Sequence, residues 1–189
     1  MLAAILVVVF VLIVAMLGYA SMRPDTFRVQ RSIDIQAPPE AVFALIEDFH
    51  RWPAWSPWEK MDPAIKRSHS GAASGKGAVY AWNGNKKVGE GRMEITECET
   101  PSRIAIKLDF YKPFEAHNTA EFTLRAEGGT TSVTWAMHGP NLFIGKLMSL
   151  VVSMDQMIGK DFETGLANMK AAAEQRAAAV DAPEPHKGG

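Results

Sequence analysis

The chain has 189 residues, a formal net charge of −1 at pH 7, and apolar side chains at 47% of positions. With no basic excess and no run of Lys or Arg interleaved with aromatics, nucleic-acid binding has no support. A single cysteine, Cys98, excludes an intramolecular disulfide framework and a cysteine-only metal cage, and reads as a small half-buried thiol on a strand.

Residues 2–20, LAAILVVVFVLIVAMLGYA, contain no charged side chain. At about 1.5 Å rise per residue, such a helix covers roughly the hydrocarbon core of a bilayer. The segment 1–22 therefore reads as a transmembrane anchor, with the lipid bilayer as partner of residues 2–20. Two readings compete. A cleaved secretory signal is suggested by Gly18-Tyr19-Ala20, but no Lys or Arg precedes the apolar run, and the run exceeds the usual signal core. A buried core helix is opposed by the length and by the absence of a polar face. Only the terminal amine precedes the span, whereas Arg23, Arg28 and Arg31 follow it. The positive-inside bias then places the remaining chain in the cytoplasm of a single-pass membrane protein, of the bacterial inner-membrane kind. Long domains also translocate regardless of flanking charge.

After a linker over 23–26, one domain is expected over 27–179. Phe27 to Ala37 alternates, with Phe27, Val29, Arg31, Ile33 and Ile35 in one phase, as in a half-buried strand. Pro38-Pro39 ends it, and Glu40 to Asp48 follows as a short helix with Val42, Phe43, Leu45 and Ile46 at helical spacing. Trp52-Pro53-Ala54-Trp55-Ser56-Pro57-Trp58 holds three of the five tryptophans, and its prolines forbid a regular helix. It is a compact aromatic turn: a plug under one end of the sheet, a rim over a pocket carried by Trp55 and Trp58, or an indole contact with lipid headgroups.

The pattern from Ala64 onward is all strand. Segments 64–70, 77–83, 88–97, 103–110, 115–125 and 131–138 alternate, with a tight turn expected at Asn83-Gly84 and another at Glu127-Gly128-Gly129. A long helix is predicted from Gly145 to Ala179, its apolar stripe formed by Leu147, Val151, Met154, Ile158, Phe162, Leu166 and Met169. A stripe this long requires an equally long apolar partner, and the sheet supplies one. Residues 180–189, with Pro183, Pro185 and a closing Gly-Gly, read as a disordered tail.

This order resembles the START-like, helix-grip fold of the SRPBCC superfamily, and more narrowly the polyketide cyclase/dehydrase and lipid-transport family. The resemblance rests on Val29 to Ile35 with Ala37-Pro38-Pro39-Glu40-Ala41-Val42-Phe43, the Trp52–Trp58 segment, and Gly89-Glu90-Gly91-Arg92-Met93. It continues through Phe110 with Pro113-Phe114, Gly128 to Trp135, Gly159-Lys160-Asp161-Phe162 and Gly165 to Lys170, and covers about Phe27 to Glu174. The implied fold is α+β: a curved antiparallel sheet wrapped around a long C-terminal helix, here preceded by one transmembrane helix. The resemblance also implies a cavity between sheet and helix that holds an apolar small molecule. It implies no single catalytic set, since one fold hosts many functions.

The sequence has no nucleophile motif, phosphate loop or zinc-binding helix signature, and no cofactor or metal is expected. His50 lies beside the Trp segment, His69 on a polar strand, and His117 and His138 in outward strand phases; all read as surface histidines. Asn118 shares the inward phase with Ala120 and Phe122, and Glu97 that of Met93 and Ile95, so each is a polar group to test against a cavity. The expected lining is Trp82, Met93, Ile95, Ile106, Phe110, Asn118, Phe122, Trp135, Met154 and Ile158. Four helix methionines, Met148, Met154, Met157 and Met169, suit an adaptable apolar surface or simple core filling. Three functions fit: a membrane-tethered carrier for a lipid, isoprenoid or polyketide-like molecule; a cyclase or dehydrase, which needs an acid–base group in the cavity; or a filled scaffold whose Trp segment contacts a membrane partner not identified by the sequence.

Overall fold

The computed structural model describes residues 1–148, 150 and 153–181. An apolar helix α1 (Leu2–Ser21) leads into β1 (Thr26–Ile35) and a short helix α2 (Pro39–Ile46). Two 3₁₀ turns, Phe49–Ala54 and Pro57–Lys60, carry the Trp segment. Six strands follow: β2 (Lys66–Gly71), β3 (Ala78–Asn83), β4 (Glu90–Glu99), β5 (Arg103–Lys112), β6 (Ala116–Glu127) and β7 (Thr130–Pro140). All seven strands form one antiparallel sheet in the order β1-β7-β6-β5-β4-β3-β2.

The predicted continuous helix is two helices. α3 (Phe143–Met148) packs against α1, and α4 (Met154–Asp181) lies along β1. The split has a physical basis. The β7–α3 link is pinned to the α1–β1 junction, where Asn141 N donates to Asp25 O at 2.7 Å and Lys146 Nζ meets Asp25 Oδ1 at 2.5 Å. The helix that grips the sheet must therefore start afresh. Val151 of the predicted stripe and the tail from residue 182 lie outside the described residues, as does the side chain of Met148. A second correction concerns Asn83-Gly84. The β3–β4 connection spans 84–89, closed by Gly84 N to Gly89 O at 2.8 Å. The Asn85 side chain accepts from Lys87 N, holding a longer loop than the two-residue turn expected. The β6–β7 link is the two residues Gly128-Gly129, as the sequence indicates.

The Trp segment is tied down by the end of α2. The last carbonyls of a helix lack intrahelical partners. Here the Trp52 indole N–H donates to Ile46 O at 3.0 Å and that of Trp55 to Leu45 O at 2.9 Å. Two large apolar rings are buried while their polar atoms, and those of the helix end, are satisfied together.

α4 is held against the sheet along its length. The Phe162 ring stacks on Trp135 of β7 with centroids 4.1 Å apart and planes 5° from parallel, and Trp135 in turn stacks on Phe122 of β6 at 5.0 Å. Arg31, in the inward phase of β1, crosses Gly159 and reaches Asp155 one turn before it and Glu163 one turn after it, both at 2.7 Å. Further along, Lys170 Nζ donates to Asp34 O and Glu174 accepts from Gln36 N. α4 thus runs parallel to β1. Its approach is set by Gly165: a methyl group there would sit 2.8 Å from Cζ3 of Trp135 and 3.2 Å from Cδ of Pro57. Gly to Ala in an exposed helix gains about 1 kcal/mol. At Gly165 the overlap outweighs that gain, so Gly165→Ala is expected to lower stability by about 1–3 kcal/mol, read as a lower urea midpoint at unchanged m.

Candidate functional site

Between the sheet and the start of α4 lies a cavity of about 340 Å³, a size in the range of small-molecule sites. Its floor is the inward faces of β3, β4 and β5, represented by Tyr80, Trp82, Met93, Leu108 and Phe110; Ala120, Trp135 and Met137 extend it across β6 and β7. Its roof is Met157, Ile158 and Phe162 of α4. One side is closed by Trp52, Ser56, Trp58 and Glu59, the other by Lys87 and Val88 of the β3–β4 loop.

Of the residues predicted to line it, Trp82, Met93, Phe110, Trp135, Ile158 and Trp58 are on the wall. The others lie elsewhere. Ile95, Ile106 and Phe122 are fully buried in the core, and the rings of Trp52 and Trp55 pack edge-on against Phe122. Trp55 is buried completely and belongs to the plug rather than to a rim, its backbone carbonyl accepting from Asn168 of α4 at 3.1 Å. Met154 packs against the core, while Met157 and Ile158 reach the cavity. Asn118 is buried in the inward phase, but its amide oxygen lies over Gly139 of β7 and it is absent from the wall. Glu97 does not point inward at all: a register shift between Ile95 and Glu97 reverses the alternation and sends its carboxylate to Arg103 on the surface. Alternation read from sequence cannot see that bulge.

The wall is mostly apolar; besides Ser56 and Lys87 it carries one carboxylate among the described residues. Glu59, whose side chain is 6% exposed, accepts from Tyr80 Oη at 2.6 Å and from Arg67 Nε at 2.6 Å. The sequence offered a signal for Tyr80, which shares its strand phase with Trp82; Glu59 gave none, because its burial depends on the second 3₁₀ turn docking on β2 and β3. Burial raises the Tyr80 phenol well above the ordinary tyrosine range, and the neighbouring Glu59 carboxylate raises it further. A further polar feature is Trp135. Its Nε1 is buried and has no hydrogen-bond partner among the described residues; a buried donor left so costs about 1–3 kcal/mol.

The described histidines stand off the cavity. His50 bonds Asp48 and stacks on His69 at 4.1 Å. His117, on the outer face, bonds Asp109 at 2.7 Å, and that contact raises its pKa above the usual histidine value. Among the described residues no group of three or more His, Cys, Asp or Glu is placed to hold a metal ion.

The sheet and its gripping helix coincide with one pattern in known proteins. The family described as polyketide cyclase / dehydrase and lipid transport matches residues 26–174. The chain belongs to this family. No curated protein matches the sequence. Solved structures agree on the fold. The di-domain ARO/CYC BexL from the BE-7585A biosynthetic pathway aligns at 16% identity and TM-score 0.57, over 88% of this chain and 53% of its own. A major latex-like protein of Panax ginseng aligns at 13% identity and TM-score 0.52, over 82% of this chain and 99% of its own. A protein from Chromobacterium violaceum aligns at 14% identity and TM-score 0.54, over 80% and 99%. α1 precedes the part matched by the family.

Tyr80 yields a pH prediction. Its folded pKa lies above the unfolded value near 10, so its contribution to stability is complete below about pH 10 and is lost as pH climbs from there toward the folded value. The urea midpoint is expected to fall as pH rises above about 10, and Tyr80→Phe is expected to flatten that fall.

Proposed function

We propose that this protein is a membrane-tethered binding or carrier module for a hydrophobic small molecule such as a lipid, isoprenoid or polyketide-like compound. The observation that carries the reading is the cavity itself: about 340 Å³ of space walled by indole, phenyl, thioether and aliphatic groups. Tightly packed cores seldom leave such volume, because unfilled apolar space forfeits contact energy on every side. A family member with that geometry fits cargo that water solvates poorly. The tether is supported by α1, which is 20 residues long, carries no charged side chain and is exposed over nearly its whole length. Tyr19 and Arg23 at its end form a cation–π pair at 5.3 Å, an arrangement suited to an interfacial boundary.

A second reading has one observation in its favour. Glu59 and Tyr80 place an ionisable pair on the cavity wall, which a cyclase or dehydrase requires. In that reading Glu59 is the base and Arg67 its positioning residue.

Protein from residue 23 onward, purified without detergent, is expected to carry an apolar molecule detectable by mass spectrometry after solvent extraction. Ala120→Leu, which fills the cavity from its floor, is expected to reduce the retained amount severalfold while unfolding stays cooperative. Recovery of no molecule from the unsubstituted protein would end the carrier reading. An enzyme would yield a dehydrated or cyclised product, and Glu59→Gln would accumulate its precursor.

A further inference from the structure

Strand pairing brings four connections to one end of the sheet: the α1–β1 junction, the β3–β4 loop, the β5–β6 hairpin and the β7–α3 link. The chain at this end is unusually apolar. Beyond α1, the large apolar side chains that stand exposed among the described residues are Met22, Met61, Tyr111, Phe114, Leu142, Phe143 and Met157. Tyr111 and Phe114 belong to the β5–β6 hairpin, and Leu142 and Phe143 to the β7–α3 link. Met157 is in the first turn of α4. Met61 is beside Asp62, which holds the β3–β4 loop through Asn85 N at 2.6 Å. Six gather at the end where α1 enters, and Met157 lies at the start of α4, the end of that helix turned toward it. The connections at the opposite end, including Gly71 to Gly77, Thr100 to Ser102 and Gly128-Gly129, expose none.

Basic groups accompany these side chains. Lys86 and Lys87 are exposed on the β3–β4 loop, whereas Lys112 on the β5–β6 hairpin is paired with Glu90 at 2.7 Å and has exposed Glu115 nearby. The cavity opens here too, since Lys87 and Met157 are at once wall residues and exposed. α1 is moreover held to this end: Asn141 Nδ2 donates to Pro24 O at 3.1 Å, Lys146 pairs with Asp25, and Ala20 is buried.

The geometry points to a second membrane contact in addition to the tether: this end of the domain, with Phe114 and Phe143 at its apolar tips and Lys86 and Lys87 beside them, lies on the bilayer surface and turns the cavity mouth toward the lipid. The inference rests on the tether proposed above. Apolar tips buried in the headgroup boundary contribute through lost water contact, and lysines contribute through attraction to anionic lipid. A protein partner would need no coincidence between the exposed apolar groups, the mouth and the helix entry. A bilayer imposes all three, because α1 already fixes which end faces it. Cargo then crosses from lipid to cavity without traversing water.

The full chain, with Cys98→Ser as background, is reconstituted in phosphatidylcholine vesicles containing phosphatidylglycerol. Single cysteines replace Phe114, Phe143 or Met157 at the near end and Ser74 or Ser102 at the far end, each carrying an environment-sensitive nitrobenzoxadiazole label. Brominated phosphatidylcholine is expected to quench the three near labels severalfold more than the two far ones. Lys86→Glu combined with Lys87→Glu is expected to weaken that difference. Equal, weak quenching at all five positions, in chain that still sediments with the vesicles, overturns the surface contact and leaves the tether standing. Chain that stays in the supernatant overturns both.

Discussion

The spacing between α4 and the sheet depends on the stack of Phe162 on Trp135. Two flat rings in contact define a separation that aliphatic side chains would leave adjustable. Gly165 lets the helix come down onto the indole, and Arg31 locks the turn before it. Toward the helix start the roof is built from Met157 and Ile158, which do not reach the floor formed by Met93 and Leu108. The cavity is the gap left beside the first turns of α4, which Arg31 ties to β1 through Asp155 while Met157 and Ile158 face the floor across open space.

The aromatic turn after α2 decides how much of the inward face stays open. Trp52 and Trp55 occupy the space over Phe122, and their N–H groups complete the end of α2. Trp58 packs edge-on against both Trp135 and Phe162. A single seven-residue segment therefore seals one part of the interior and walls another. The turn that ends this segment delivers Glu59 to Tyr80 and Arg67, so the one carboxylate on the wall among the described residues is placed by the turn that closes it.

Most of the fold was legible because the signals were local. The seven strands, the short helix after Pro38-Pro39 and the long apolar stripe each follow from periodicity within a segment. Six of the named wall and rim positions, such as Trp82 and Phe110, were legible for the same reason: strand phase tells which face a residue occupies. Phase does not tell how far along the sheet the plug extends, so Ile95, Ile106 and Phe122 carried the right orientation and the wrong neighbours. The bulge before Glu97 and the break between α3 and α4 depend on contacts between distant segments. So does the burial of Glu59, whose partners lie 8 and 21 residues away in sequence.

The parallel course of α4 and β1 has a consequence for reach. Both elements lead away from the junction with α1, and α4 alone, at 28 residues, is about 42 Å long. On the proposed tether, with α1 in the bilayer, the far tip of α4 would stand off the lipid by a distance comparable to the thickness of the bilayer itself.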